Sequence, residues 1–420
     1  MQPPGRAEKQ TLALLGALCF FLSAIEYMIP KPLPFIRLGL ANFPLLLALD
    51  IMPFSSFIFL IGIKVTGQAL ISGTLFSYVF LFSMGGTGVS GLFMYALRRG
   101  LGRERISLAG ISAAGALASN GVTLVLARYL VFGESIIYAA APVLALGIVT
   151  GTILGIGAEY FIRRSEWHAG IYRNSNFEEN KPCNSQNLTG VGKYPGKARA
   201  PMRESFFGNH FSSGELAIAG LCMMPALLFN PDTYARIIQF LFFSVLALLS
   251  GKKNNFLITF AVMLGIIFFN LLVPYGEILF SIGPLRISSG ALLGGIRRAV
   301  TLEGLFMLSR FCIRPDLCLP GSFGEITGEA FGIFADLTEE KNLIRMKNWA
   351  GQLDGILLSY TGMRAPGDLE EQPPGNTGCA GDTKNKPGKV SPPGLLGRPR
   401  IILVALTILA WLPLLLSLKV

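Results

Sequence analysis

The sequence predicts an all-α polytopic membrane protein built as two helical modules. Three observations carry this. Long apolar runs recur from Thr11 to Ile162, again from Leu216 to Leu308, and once more over Ile401–Leu418. Hydrophobic residues make up 51% of the chain and charged residues only 15%. Lys and Arg gather in short loops between the runs. A helix crosses a bilayer with about 20 apolar residues, and several runs reach that length. The formal net charge of +11 sits in loops, where membrane topology uses it, so nucleic acid is not an expected partner.

Taken in order, residues 1–163 form the first module, with predicted spans Thr11–Ile29, Leu38–Leu49, Ser55–Thr74, Phe76–Leu97, Ser107–Leu130 and Ala139–Ile162. The second run is short for a crossing and is expected to extend back through Arg37, to tilt or to break. Residues 164–214 are rich in Asn, Pro, Gly, Lys and Arg, lack an apolar period, and read as a basic linker. The second module, 215–360, offers Leu216–Phe229, Tyr234–Leu249, Phe256–Val273 and Ser288–Phe311, then a polar, amphipathic stretch. Residues 361–399 are rich in Pro and Gly and are expected to be disordered. Residues 400–420 hold a last, nearly uncharged helix.

The loop charges set the orientation. Arg6 and Lys9 precede the first span, Arg98, Arg99, Arg103 and Arg105 follow the fourth, and Arg163 and Arg164 follow the sixth. Six crossings put all three on one side, which the positive-inside rule makes cytoplasmic. The N-terminus and linker are then cytoplasmic, and the Asn187-Leu188-Thr189 sequon is a chance match.

Ionisable or amide side chains inside apolar runs mark functional candidates, because lipid makes them expensive. Lys64, in the middle of FIFLIGIKVTGQALI, and Asn120, in ALASNGV, are the deepest. Lys64 either faces a substrate cavity or pairs with Asp50 or Glu26. Glu26 and Arg128 lie near span ends and are read as snorkelling groups. Pro30, Pro32 and Pro34 hold the first outer loop extended, and Lys31 and Arg37 there oppose the charge bias, which fits an anionic ligand. Gly110, Ala114 and Ala118, and likewise Gly147, Gly151 and Gly155, recur every four positions and make smooth stripes for helix packing. Those stripes serve either packing inside the first module or docking of the second.

Several chemistries lack their residues. There is no G-x-x-x-x-G-K-[ST], so the chain carries no ATPase of its own, and no Asp-rich diphosphate motif. The six cysteines are scattered without a C-x-x-C, which supports neither a metal site nor a disulfide framework. No catalytic centre and no resident cofactor is expected. Ser288–Phe311 carries Arg297, Arg298 and Glu303 and must pack against protein. Phe331, Phe334 and Leu337 fall at helical intervals among acidic residues and read as cytoplasmic amphipathic helices with a face for membrane lipid or a partner.

LPFIRLGLANFPLLLALD, the Gly/Ser-rich spans after it and ISAAGALASN make residues 11–162 similar to the Gx transporter family. That family is also labelled heptaprenyl diphosphate synthase component I and is related to the substrate-binding S components of energy-coupling-factor (ECF) transporters. Residues 216–360 more weakly resemble the transmembrane T component. The resemblance implies a six-helix S-like bundle fused to a T-like module in a bacterial cytoplasmic membrane, driven by ABC-type ATPases encoded elsewhere. Arg37, Asn42, Lys64 and Asn120 would then take a small-molecule or isoprenoid-related ligand. Phe331, Phe334 and Arg345 would take up the ATPases' motion; Arg345 in LIRMK stands nearest to the Ala-Arg-Gly motif that T components carry and 313–360 lacks. The alternative implied by the label is a membrane component of polyprenyl diphosphate synthesis.

Overall fold

The computed structural model describes residues 6–28, 39–178, 211–252, 255–282, 285–314, 317, 319, 321–339, 349–361 and 398–417. Arg37, Arg345, most of the linker and the Pro/Gly-rich segment lie outside these. Among the described residues, five helical stretches are long and apolar enough to cross a membrane: Glu8–Glu26, Phe54–Ser72, Tyr78–Leu101, Leu108–Arg164 and Arg400–Ser417. Three shorter apolar helices join them. The architecture is that of a multi-pass membrane protein, with Val149, Ile153, Ile156, Leu257, Ile258 and Phe260 among many large apolar side chains left on the outside.

The first part of the chain is α1 (Arg6–Met28), α2 (Phe43–Ala48), α3 (Phe54–Ser72), α4 (Tyr78–Leu101), α5 (Leu108–Ala127), α6 (Ile137–Arg164) and α7 (Glu166–Glu178). The expected second span is instead a 3-10 turn, Leu40–Asn42, followed by the six-residue α2. Gly39, at φ +82°, turns the chain into it, a conformation glycine adopts without strain. Asp50 then reaches Arg98 at the far end of α4, so this short element and the turn before it descend along the bundle without forming a full helix. A helix, α7, also opens the stretch read as linker.

α1 lies in the centre. Every residue from Leu12 to Phe21 except Gly16 is a buried hydrophobic, the pattern of a helix enclosed on all sides. Two glycines make this possible. A Cβ on Gly67 would come within 2.1 Å of the Phe20 ring, and one on Gly16 within 2.9 Å of Ile63. The α5–α6 pair uses the same device. Cβ atoms on Gly151 and Gly155 would meet the backbone of α5 at 3.0 Å and 2.5 Å. Gly155→Val is therefore expected to force the pair apart and destabilise the protein by about 1–3 kcal/mol, as overpacked cores do. Thermal unfolding in detergent checks it, and an unchanged midpoint would refute the contact. Gly110, by contrast, meets only Ile106 and Ser107 of the preceding turn, and Ala114 is half-buried on α5.

The second part is α8 (Ser213–Leu228), α9 (Thr233–Leu249), α10 (Phe256–Leu271), an antiparallel hairpin of β1 (Ile278–Ile282) and β2 (Leu285–Ser288), and α11 (Ser289–Cys312). The hairpin corrects the all-helical expectation. Pro274 and Gly276 end the helical pattern, and the short apolar run ILFSI, rich in β-branched and aromatic residues, then suits a strand. α11 buries Glu303 and contacts α8, α9 and α10, so it packs on protein. The last helix, α14 (Arg398–Ser417), closes this part. Arg400 pairs with Glu215 at 2.8 Å. Trp411 donates its indole N–H to the Cys222 carbonyl. Gln239 donates its amide to the Ala226 and Ala410 carbonyls.

α12 (Gly321–Glu339) and α13 (Trp349–Thr361) return to the first part of the chain. α12 runs along α1, with Lys9 paired to Glu325 at one end and Phe20 stacked on Phe331 farther along, at 5.1 Å between centroids. Phe334 meets the same ring edge-on at 6.2 Å. The rings read as a partner-facing stripe are thus packed on the chain's own central helix. An apolar helix face carries no label for its partner, and α1 supplies one here. In α13, Asp354 accepts hydrogen bonds from Ser165 Oγ and from the Glu166 and Trp167 amides, capping the otherwise unpaired first amides of α7.

Candidate functional site

α1, the turn before α2, α3, α4, α5 and α6 line a partly open polar cavity of about 50 Å³. Its lining includes Glu26, Gly39, Asn42, Lys64, Gln68, Thr87, Ser119, Asn120, Gly147 and Thr150. Three side chains singled out in the sequence, Asn42, Lys64 and Asn120, therefore converge, although they come from three separate elements.

Each is placed by local structure. The 3-10 turn closes through the Asn42 amide on the Gly39 carbonyl at 2.8 Å, which presents the Asn42 side chain to α3. Lys64 is 4% exposed and donates to Asn42 Oδ1. Asn120 donates Nδ2 to the Val143 carbonyl at 2.9 Å. It can reach there because residue 147 is glycine: a Cβ would stand 2.1 Å from Nδ2.

The sequence leaves Lys64 either beside a carboxylate or in a cavity. Asp50 is engaged elsewhere, with both its oxygens on Arg98 at 2.8 Å and 2.7 Å. Glu26, read as a snorkelling residue, instead lines the cavity at 7% exposure. Gln68 and Thr87 are lining residues that the sequence pattern does not single out. Gln68 has a legible signal, since it follows Lys64 by four residues and so shares its helix face. Thr87 has none, because a hydroxyl in an apolar helix ordinarily satisfies itself on its own backbone. Arg128, also read as snorkelling, is exposed and pairs with Glu134 at 2.8 Å.

A cavity of this size holds a few water molecules or a small polar group and is below the usual size of a drug-like ligand site. Its chemistry is that of recognition: one ammonium, one carboxylate and three amides, arranged to take a small solute bearing charge and hydrogen-bonding groups. Among the described residues no three His, Cys, Asp or Glu side chains come together as metal ligands.

A second buried cluster lies at the opposite end of the bundle, where Asp50, Arg98 and His168 meet. Burial raises the Asp50 carboxyl, but the Arg98 hydrogen bonds and the Arg98 and Arg103 charges prevail and hold it below its ordinary value. Burial holds the His168 imidazole below 6.5, against the opposing pull of Asp50 and a Leu47 backbone hydrogen bond. Above pH 6.5 the imidazole is neutral whether the chain is folded or not. Below it the unfolded chain takes up a proton that the folded chain resists, so stability falls as the pH drops. The depressed Asp50 carboxyl acts the same way, but only below about pH 4, near its ordinary value. We expect the unfolding midpoint to fall as the pH is lowered from about 7.5 to about 5.5, on either side of the ordinary imidazole value, and His168→Gln to flatten that slope. An equal slope in the variant would refute the assignment.

Residues 15–161 match the family model for heptaprenyl diphosphate synthase component I. Residues 216–315 match a domain family of unknown function, DUF8519. No curated protein matches the chain, and no solved structure does.

Proposed function

We propose that this chain is a membrane transport subunit of the ECF type, in which residues 1–163 capture a small polar solute and separately encoded ABC-type ATPases drive its uptake. The observation that supports this most strongly is the polar pocket of Glu26, Asn42, Lys64, Gln68 and Asn120 within a largely apolar helix bundle. Charged groups at such depth are retained in membrane proteins chiefly for ligands, ions or protons. The ligand is a small polar organic solute that hydrogen-bonds among these side chains.

In this reading the N-terminus and the Arg98–Arg105 turn face the cytoplasm of a bacterium, and the ATPases meet the protein on that side. Phe331 and Phe334 are engaged with Phe20, so an ATPase touching α12 would use its exposed side, where Glu325 lies. The test is affinity purification from native membranes followed by reconstitution. ATPase subunits are expected to accompany the chain, and vesicles holding ATP inside should accumulate solute while those holding ADP do not. Absence of any ATPase together with ATP-indifferent uptake would end the transport reading.

The match over residues 15–161 favours a second reading, a membrane component of heptaprenyl diphosphate synthesis. The family's name implies a second component as partner. Prenyl transfer by that component, strong with this chain and lost on its removal, would select this reading; activity indifferent to the chain would dismiss it.

A further inference from the structure

A larger cavity, about 280 Å³, opens where the two parts of the chain meet. From the first part it is lined by Arg128, Tyr129, Phe132, Gly133 and Glu134, and from the second by Asn270, Val273, Tyr275 and Arg298. We propose that this cavity is a binding site for a phosphate-bearing anion, held between the guanidinium groups of Arg128 and Arg298 across the junction of the two parts. It is separate from the Lys64 pocket and does not depend on either reading of that site.

The wall is built for it from both sides. Residues Arg128–Phe132 form a π-helical turn, a rare element that recurs at functional sites. Gly133 follows at φ +61° and ψ −142°, a conformation open essentially to glycine alone. A Cβ there would stand 2.6 Å from Arg298 Nη1, so glycine is what allows Arg298 to approach this turn. Arg298 is held in place by Asn270, whose Oδ1 accepts from Nη1 at 2.8 Å. Asn270 is buried, and its amide hydrogens bond the Val131 carbonyl at 3.1 Å and the Ile266 carbonyl at 2.7 Å. That fixes which way its oxygen points. One contact to Asn270 leaves most of the five N–H donors of a guanidinium to spare.

Arg128 is paired with Glu134 through its Nε and Nη2, on the exposed side. The three charged groups leave the cavity one positive charge in excess. Paired guanidiniums in a partly enclosed site match the oxygens of phosphate in geometry as well as charge. Tyr129 and Tyr275 of the lining are exposed, as aromatic side chains are at the level of lipid headgroups. The anion is therefore either the headgroup of an anionic phospholipid or a soluble phosphate or diphosphate.

The test uses the full chain in detergent without added phospholipid, titrated separately with short-chain phosphatidylglycerol, short-chain phosphatidylcholine and inorganic pyrophosphate, with binding read by calorimetry. Saturable binding of phosphatidylglycerol in preference to phosphatidylcholine assigns a lipid headgroup, and binding of pyrophosphate alone assigns a soluble anion. In either case Arg298→Gln should weaken binding about tenfold or more, the worth of one charge-assisted hydrogen bond. Arg128→Gln, at an exposed position, should weaken it without disturbing the fold. Glu134→Gln should tighten it by removing the competing carboxylate, a gain that a purely structural ion pair would not produce. No saturable binding of any anion, or binding that both arginine variants leave unchanged, overturns the proposal.

Discussion

Arg98→Ala is expected to destabilise the protein by about 3–5 kcal/mol, the usual consequence of stripping the partner from a buried charge. Both members are enclosed, with side chains 6% and 9% exposed, and two hydrogen bonds join them. Without Arg98, the Asp50 carboxylate keeps Arg103, 3.9 Å away and half exposed, and the buried His168 imidazole. Arg103→Ala itself should cost less than about 1 kcal/mol, since exposed pairs contribute little. The double variant Asp50→Leu/Arg98→Leu should recover much of the loss, because it leaves no unpaired charge. Thermal unfolding of the four proteins in one detergent measures all of this. A double variant as unstable as Arg98→Ala would mean that the site stabilises through packing instead of charge.

Lys64→Met should weaken ligand capture by about thirtyfold or more while leaving the fold intact. The ammonium is buried and donates to Asn42, so its charge-assisted contacts to a ligand would be only weakly screened by bulk water. Removing one member of such a buried contact lowers affinity by roughly 2–5 kcal/mol, or about thirtyfold to several thousandfold. Methionine fills similar space but leaves Asn42 Oδ1 without its donor, so stability should fall by about 1–3 kcal/mol with the fold retained. ATP-dependent accumulation in vesicles and the unfolding midpoint are read on the same preparation. Uptake at the wild-type level would remove Lys64 from the site, and the transport reading would lose its main support.

Part of the candidate site is legible in the residues alone. Lys64 and Asn120 stand out because ionisable and amide groups within apolar runs are costly unless used. Asn42 enters only through the family resemblance that its R-L-G-L-A-N run carries. That all three meet is not legible, since the contact depends on a 3-10 turn begun by Gly39 and on the space left at Gly147. Glu26 departs from its expected role for a related reason. Position near the end of a span permits snorkelling, and only the packing of α1 in the centre of the bundle decides against it.

The division at the level of the fold follows the same line. That the chain carries helices able to enter lipid, and that its cationic loops alternate with apolar runs, follow from composition and order along the chain, because a bilayer reads residue type and length directly. Which apolar face meets which was decided by tertiary structure alone. Phe331 and Phe334 pack on Phe20, the last helix closes over α8 and α9, and Arg128 and Arg298, from opposite parts of the chain, come to share one cavity. Apolar attraction and helix dipoles carry no address, so the pairing of faces rests on where glycines admit close approach and where buried polar groups find partners.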